Sequence, residues 1–257
     1  MAALLNRENT FLSGPEWITA PWEQHPKSWF DRLLDVVVLL PSIFNRTDHI
    51  IPHEPTLSRR LMAQDLLGNC LNAERMLDGW HLSVNPALLD ASQPGAYWIE
   101  DPEGTDAQIP FADTFAFRDA TTAIMFIYYW ATLVLFYPCV EKVNFAVFQP
   151  VVDAFPHVYP NLPPHLQINP LRYTTKEVRE LAANVCRGLD FALTTTLQPD
   201  LLAFPLYVVD EFYKEMHSSS GDGALEIMWC EAFHARLTSK GQDIADVIQG
   251  RNWVAFD

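Results

Sequence analysis

The sequence predicts an all-α protein, with stacked antiparallel helix pairs in a single helical-bundle domain over residues 1–257. Three observations predict it. Apolar residues recur at helical spacing in segment after segment. No run alternates with period two for long enough to make a strand. And 49% of the 257 residues are hydrophobic, with no composition shift that would split the chain into separate cores.

The elements follow in order. Ser28 can cap a helix running to Leu40, with Asp31 in its first turn, Pro41 ending it, and Phe30, Leu33, Leu34, Val37 and Val38 as its apolar stripe. After the breakers Pro52 and Pro55, residues 56–80 carry Leu66, Leu67, Cys70, Leu77 and Trp80 at helical spacing. A central helix is expected over about 113–137. Its neighbourhood 120–140, ATTAIMFIYYWATLVLFYPCV, has no charged residue and is long enough to cross a bilayer. Its tyrosines, threonines, tryptophan and Pro138, and flanks Arg118/Asp119 and Glu141/Lys142 with no positive-inside bias, favour a buried helix instead.

Thr174 and Glu177 form a capping-box pattern ahead of Val178, Leu181, Ala182, Val185, Leu189, Ala192 and Leu193, the clearest amphipathic helix in the chain. Pro205 is placed to start another through Val208, Val209, Phe212 and Met216. The turn SSSGDG then leads to a helix through Leu225, Met228, Trp229 and Ala232, and a last short helix carries Ile244, Val247 and Ile248. Two long connections interrupt this plan. Residues 83–110 hold Tyr97, Trp98 and the acidic Glu100, Asp101, Glu103 and Asp106. Residues 150–170 hold six prolines with His157, Tyr159 and His165 between them, an extended and stiff crossover.

Charge narrows the function. Seventeen basic against 32 acidic residues give a net charge of −15, a field that repels a phosphate backbone and argues against direct nucleic-acid binding. Cys70, Cys139, Cys186 and Cys230 show no CxxC spacing, which fits packed thiols in a reducing compartment. The opening MAALLNRENT has too short an apolar run for a signal peptide, so a cytoplasmic location is expected, nuclear if the chain is a regulator.

Several motifs bear on chemistry. Asp210-Glu211 with Glu215 resembles the acidic metal motif of class I terpene cyclases. Its partner motif is missing, and Lys214 can pair with either acid on a solvated face. Glu231 and His234 have the ExxH spacing of di-iron bundles but no second pair. His49 and His53 are separated by a helix-breaking Pro52. No metal site and no cofactor are expected. The readable hydrolase, protease, P-loop and dinucleotide signatures are absent from the sequence. What remains is an aromatic-rich interior able to restrain an apolar molecule in one reactive conformation.

Pro15-Glu16-Trp17, Pro21-Trp22-Glu23, Pro26-Lys27 and Leu33-Leu34-Asp35, followed by Tyr129-Trp130 with Leu133 and Leu135, and Leu181-Ala182 through Val185-Cys186-Arg187, resemble the C-terminal regulatory domain of fungal zinc-cluster (Zn2Cys6) transcription factors. The resemblance spans nearly the whole chain from about Phe11. It implies an all-helical domain that senses metabolites or contacts partners. The six-cysteine cluster and basic linker of that family are absent from this sequence, so no DNA-contacting residue carries over.

The expected function is therefore an apolar small-molecule-binding protein of fungal secondary-metabolite biosynthesis, acting as a cofactor-independent cyclase or pericyclase of the Diels-Alderase type. His81, Tyr128 and Tyr129 are its candidate catalytic residues, and Trp80, Tyr97, Trp98 and Trp130 its candidate substrate-binding residues. The expected partner is an apolar metabolite, with neither nucleic acid nor membrane, and with room for a homo-oligomer or a regulator partner. The alternative is a truncated transcriptional co-regulator that acts through protein partners.

Overall fold

A computed structural model describes residues 1–90, 92–100, 110–111, 113–154 and 161–250, with side chains through residue 242. The described residues are 73% helical with one two-stranded sheet among them, so the all-α class holds. The helices are α1 (Ala2–Leu5), α2 (Pro15–Thr19), α3 (Trp29–Val37), α4 (Leu40–Ile50), α5 (Leu57–Val84), α6 (Ala120–Phe148), α7 (Thr175–Thr195), α8 (Ala203–Ser220) and α9 (Ala224–Gly250). Strands β1 (Tyr97–Glu100) and β2 (Thr114–Phe117) lie between α5 and α6. The residues group into two compact units, Met1–Ala96 with Thr132–Leu181, and Tyr97–Ala131 with Ala182–Asp257. Helices α6 and α7 contribute residues to both.

In the first unit, Ser28 caps α3 as its sequence requires. Its hydroxyl accepts from the Asp31 amide at 3.2 Å, and the Asp31 carboxylate accepts from the Ser28 amide at 2.9 Å. The helix stops at Val37, three residues earlier than expected, and Pro41 sits in the first turn of α4. A proline lacks only an amide that a first turn leaves unpaired, so it opens a helix as readily as it closes one. Thr56 caps α5 by accepting from the Arg59 amide at 3.2 Å. The α5 stripe Ala63, Leu66, Leu67, Cys70, Leu77 and Trp80 is buried, and α5 packs against α3 and α4.

The end of α6 completes this unit with buried Leu133, Phe136, Tyr137, Val140, Val143 and Val147. Pro138 lies inside α6, which continues to Phe148 rather than ending near Tyr137. A proline removes one backbone hydrogen bond, and the burial of the apolar turns on both sides offsets that loss. Helix α6 is long and apolar enough to cross a membrane, yet 89% of its most apolar window is buried inside the protein, which is compatible with a soluble protein.

The second unit differs more from expectation. The central helix begins at Ala120, and residues 114–117 instead form β2, antiparallel to β1 with Tyr97 opposite Phe117 and Ile99 opposite Phe115. Four-residue strands are too short to show a period-two pattern, and their pairing comes from the aromatic cluster they cover. At the head of α7, in the first unit, the Glu177 amide donates to the Thr174 hydroxyl at 3.4 Å, one half of the capping box. Helix α8 starts at Ala203, so Pro205 lies in its first turn rather than at its head. The separate last helix carrying Ile244, Val247 and Ile248 is instead the continuation of α9.

Between α8 and α9 the chain reverses at Gly221 (φ 76°) and Gly223 (φ 92°), two left-handed positions that favour glycine. The four cysteines are free, buried thiols. Of the two long connections, Asp101, Glu103, Asp106, His157 and Tyr159 lie outside the described residues. His165 stands in a 3-10 turn, Pro164–Leu166, which packs on α5 through buried Leu166.

Candidate functional site

The seven residues singled out from sequence fall into three places. Trp80 and His81 end α5 in the first unit. Trp80 is buried, and its indole N–H donates to the Trp29 carbonyl at 2.7 Å, tying α5 to α3. His81 is half-buried, and burial lowers its pKa against the opposing pull of Asp78.

Tyr97 and Trp130 are brought together in the second unit, edge to face with centroids 5.3 Å apart. Phe115, Phe117 and Phe126 surround them, and Phe191 touches Phe117. The strand pleat turns the neighbouring Trp98 outward, where it is 52% exposed. Tyr128 and Tyr129 are both buried on α6. The Tyr128 hydroxyl donates to the Leu201 carbonyl at 2.9 Å, and its ring packs on Phe204. Burial, with a smaller push from the negative Asp200, moves its pKa up to about 12.

A polar network surrounds His81 that sequence reading did not reveal. Glu74 and Asp78 share with His81 one face of α5, and Arg172 reaches both acids, Glu74 at 3.1 Å and Asp78 through a two-pronged pair. Arg172 also donates to the Tyr137 hydroxyl at 2.7 Å, while the Tyr173 hydroxyl donates to the two Glu74 oxygens at 2.9 and 2.8 Å. Burial raises the pKa of Glu74, against Arg172 and the Tyr173 hydrogen bond, and pushes that of Tyr137 up to about 12. This network fastens the 3-10 turn Pro170–Tyr173 to α5 and α6.

The larger groove lies in the second unit, along the α8–α9 hairpin, with a volume of about 1000 Å³. Helix α8 contributes Ala203, Leu206, Tyr207, Asp210, Glu211 and Lys214. Helix α9 contributes Cys230, Glu231, His234, Leu237, Thr238 and Gly241, and the preceding turn adds Leu197, Pro199 and Asp200. On each helix these positions recur every three or four residues, so each set is one face. Asp210 and His234 lie equally far along the chain from Asp222, as do Ala203 and Gly241, which is the register of an antiparallel hairpin.

None of the seven residues singled out from sequence lines this groove. Tyr128 is the nearest in function, because its bond to Leu201 holds the turn Pro199–Leu202 that forms one wall. The groove does gather Asp210, Glu211 and Lys214 of the acidic motif with the ExxH pair Glu231 and His234. Lys214 donates to Asp210 at 2.6 Å and to Glu211 at 3.2 Å, as their spacing allows. Glu231 and His234 share the facing helix. Among the described residues, no group of three or more His, Cys, Asp or Glu is placed to hold a metal ion. Sequence offered one signal for this groove: two helical stripes of mixed apolar and charged residues on either side of a short glycine turn.

A second, smaller groove of about 490 Å³ lies in the first unit, lined by Ile51, His53, Arg59, Glu141, Lys142, Phe145 and Gln149. Arg59 is committed there to the carbonyls of Ile50 and Ile51 and to the Gln149 amide oxygen. Phe145 stands 67% exposed beside it. No family of known proteins matches this chain, and neither a curated protein nor a solved structure matches it.

Proposed function

We propose that this chain is a small-molecule-binding protein whose site is the α8–α9 groove. One observation carries the reading: a groove of about 1000 Å³ with an apolar floor of Pro199, Leu206 and Leu237 and a polar rim that includes Asp210, Glu231 and His234. Concave sites of this size, mostly apolar with a few placed polar groups, are the usual form of a metabolite pocket. The finer reading is a cofactor-independent cyclase or pericyclase of fungal secondary metabolism. In it the groove restrains an apolar precursor, and Glu231 and His234 are the groups on hand to exchange a proton or polarise a carbonyl.

The test uses the full chain and the neutral fluorophore N-phenyl-1-naphthylamine. Ala203 is exposed on the groove wall, so Ala203→Trp places an indole in one end of the groove without touching the core. Wild type should bind the dye, and Ala203→Trp should lose at least about tenfold in affinity, roughly the worth of a filled apolar subsite, with unchanged melting temperature. Equal binding by both proteins would place the ligand elsewhere. Incubation with a linear polyene carrying a diene and a dienophile then tests turnover, with Ala203→Trp as the control.

The second reading, a co-regulator acting through protein partners, has its own observation. Leu57 and Leu61 share one face of α5 and are 45% and 58% exposed, in the same unit as exposed Phe145. Deleting the gene separates the two: accumulation of one precursor with unchanged transcripts supports the binding or enzymatic reading, and loss of neighbouring transcripts supports the regulator.

A further inference from the structure

We infer that the α8–α9 groove selects an amphiphilic organic cation, an apolar skeleton bearing a protonated amine. The inference rests on the groove being the ligand site and names the class of molecule it takes. Its lining carries four carboxylates, Asp200, Asp210, Glu211 and Glu231, against one lysine, Lys214, with His234 the remaining basic group. Lys214 is bonded to both Asp210 and Glu211, so its single charge is shared between two acids. Neither Asp200 nor Glu231 has an ion pair among the described residues, and both are exposed on the groove.

Position matters as much as charge. Asp200 stands on the turn at one end and Glu231 on α9 across from Lys214, with the apolar floor between them. Tyr207, 51% exposed, presents an aromatic ring on the same wall, a surface that attracts an ammonium group over its face. An anionic ligand of the same shape would meet three uncompensated negative charges, counting the one that Lys214 leaves in excess. Charge of one sign lining a groove with apolar walls concentrates the opposite ion and rejects its own. The floor supplies affinity and the acids supply the sign.

The experiment uses three ligands of one shape: 1-adamantylammonium, neutral 1-adamantanol and 1-adamantanecarboxylate. Each is titrated into the full chain by calorimetry at low salt, with Ala203→Trp, which narrows the groove at one end, as the control. The ammonium should bind at least about tenfold tighter than the alcohol, the carboxylate weaker than both, and the ammonium preference should shrink as salt is raised. Glu231→Gln and Asp200→Asn, both exposed and both expected to fold, should each reduce the ammonium-to-alcohol affinity ratio by about threefold or more. Equal binding of ammonium and alcohol, or ratios untouched by both variants, overturns the cation inference and leaves the groove as a ligand site. Failure of all three to bind, or binding that Ala203→Trp does not weaken, overturns both.

Discussion

Replacing Tyr173 by Phe removes one hydroxyl from the polar network of the first unit and nothing else. Tyr173 is 3% exposed and Glu74 7%, and the hydroxyl lies 2.9 and 2.8 Å from the two carboxylate oxygens. The phenyl ring retains its edge-on contact with Tyr137 at 5.2 Å, so packing is preserved. A hydrogen bond to a charged group contributes about 1.5–3 kcal/mol, and Arg172 at 3.1 Å remains to hold Glu74, so we expect a loss of about 2 kcal/mol at pH 7. For a chain of this length that lowers the melting temperature by roughly 4–8 °C.

The pH dependence supplies a second readout. Burial already holds the Glu74 pKa above the usual carboxylate range, with Arg172 and the Tyr173 hydroxyl opposing and Asp78 adding to the rise. A carboxyl raised on folding contributes stability that is present below its unfolded pKa and lost as pH rises through its folded one. Removing the hydroxyl raises that pKa further, so the variant should lose more at pH 7 than at pH 4. Urea unfolding at both pH values measures this. A loss under about 0.5 kcal/mol at pH 7, or one independent of pH, would refute the assignment of Glu74 as the buried acceptor of the Tyr173 hydroxyl.

Gly223→Ala should destabilise the α8–α9 hairpin by about 2–3 kcal/mol, because an added methyl would stand 2.8 Å from Met216 Cε and 3.2 Å from the Tyr213 carbonyl at a positive φ. Gly221→Ala meets open space and should lose only about 1 kcal/mol in the same denaturation assay. Tyr128→Phe tests alkaline stability. The wild-type phenol, held up to about 12, contributes stability present below the ordinary tyrosine range and lost as pH rises from about 10 to 12, so wild type should lose roughly 2 kcal/mol more than the variant across that window. His81 runs the other way: its lowered pKa contributes stability that is lost as pH falls below about 6.5, and His81→Gln should flatten the melting temperature on the acid side.

Much of the fold was legible because helix starts are local events. Ser28 and Thr174, the two caps legible in sequence, each accept a backbone amide three residues ahead, and that geometry is set by the chain itself. The stripe on α5 and the buried character of α6 were legible for the same reason, since periodicity within one helix is readable without its partners. Pro41 was read as a stop because a proline's effect depends on which side of it a helix nucleates. The β1–β2 hairpin and the length of α9 were not legible. Four-residue strands and a helix that runs on past its apolar stripe are decided by what they pack against.

The aromatic residues show the same division at the level of function. Sequence alone singled out Trp80, Tyr97, Trp98, Tyr128, Tyr129 and Trp130 as large rings, but whether a ring faces a cavity, a core or solvent depends on elements distant in the chain. Tyr97 and Trp130 meet across a strand pairing, Tyr128 is fixed to Leu201, and Trp98 points outward. The helical class, the caps at Ser28 and Thr174, the acidity and the absence of the readable cofactor motifs are legible in the chain alone, because each of these is a property of neighbouring residues or of a sum. That Asp210, Glu211 and Lys214 line one groove with Glu231 and His234 is a tertiary property, because two stripes on separate helices become one surface only when a glycine turn folds them side by side.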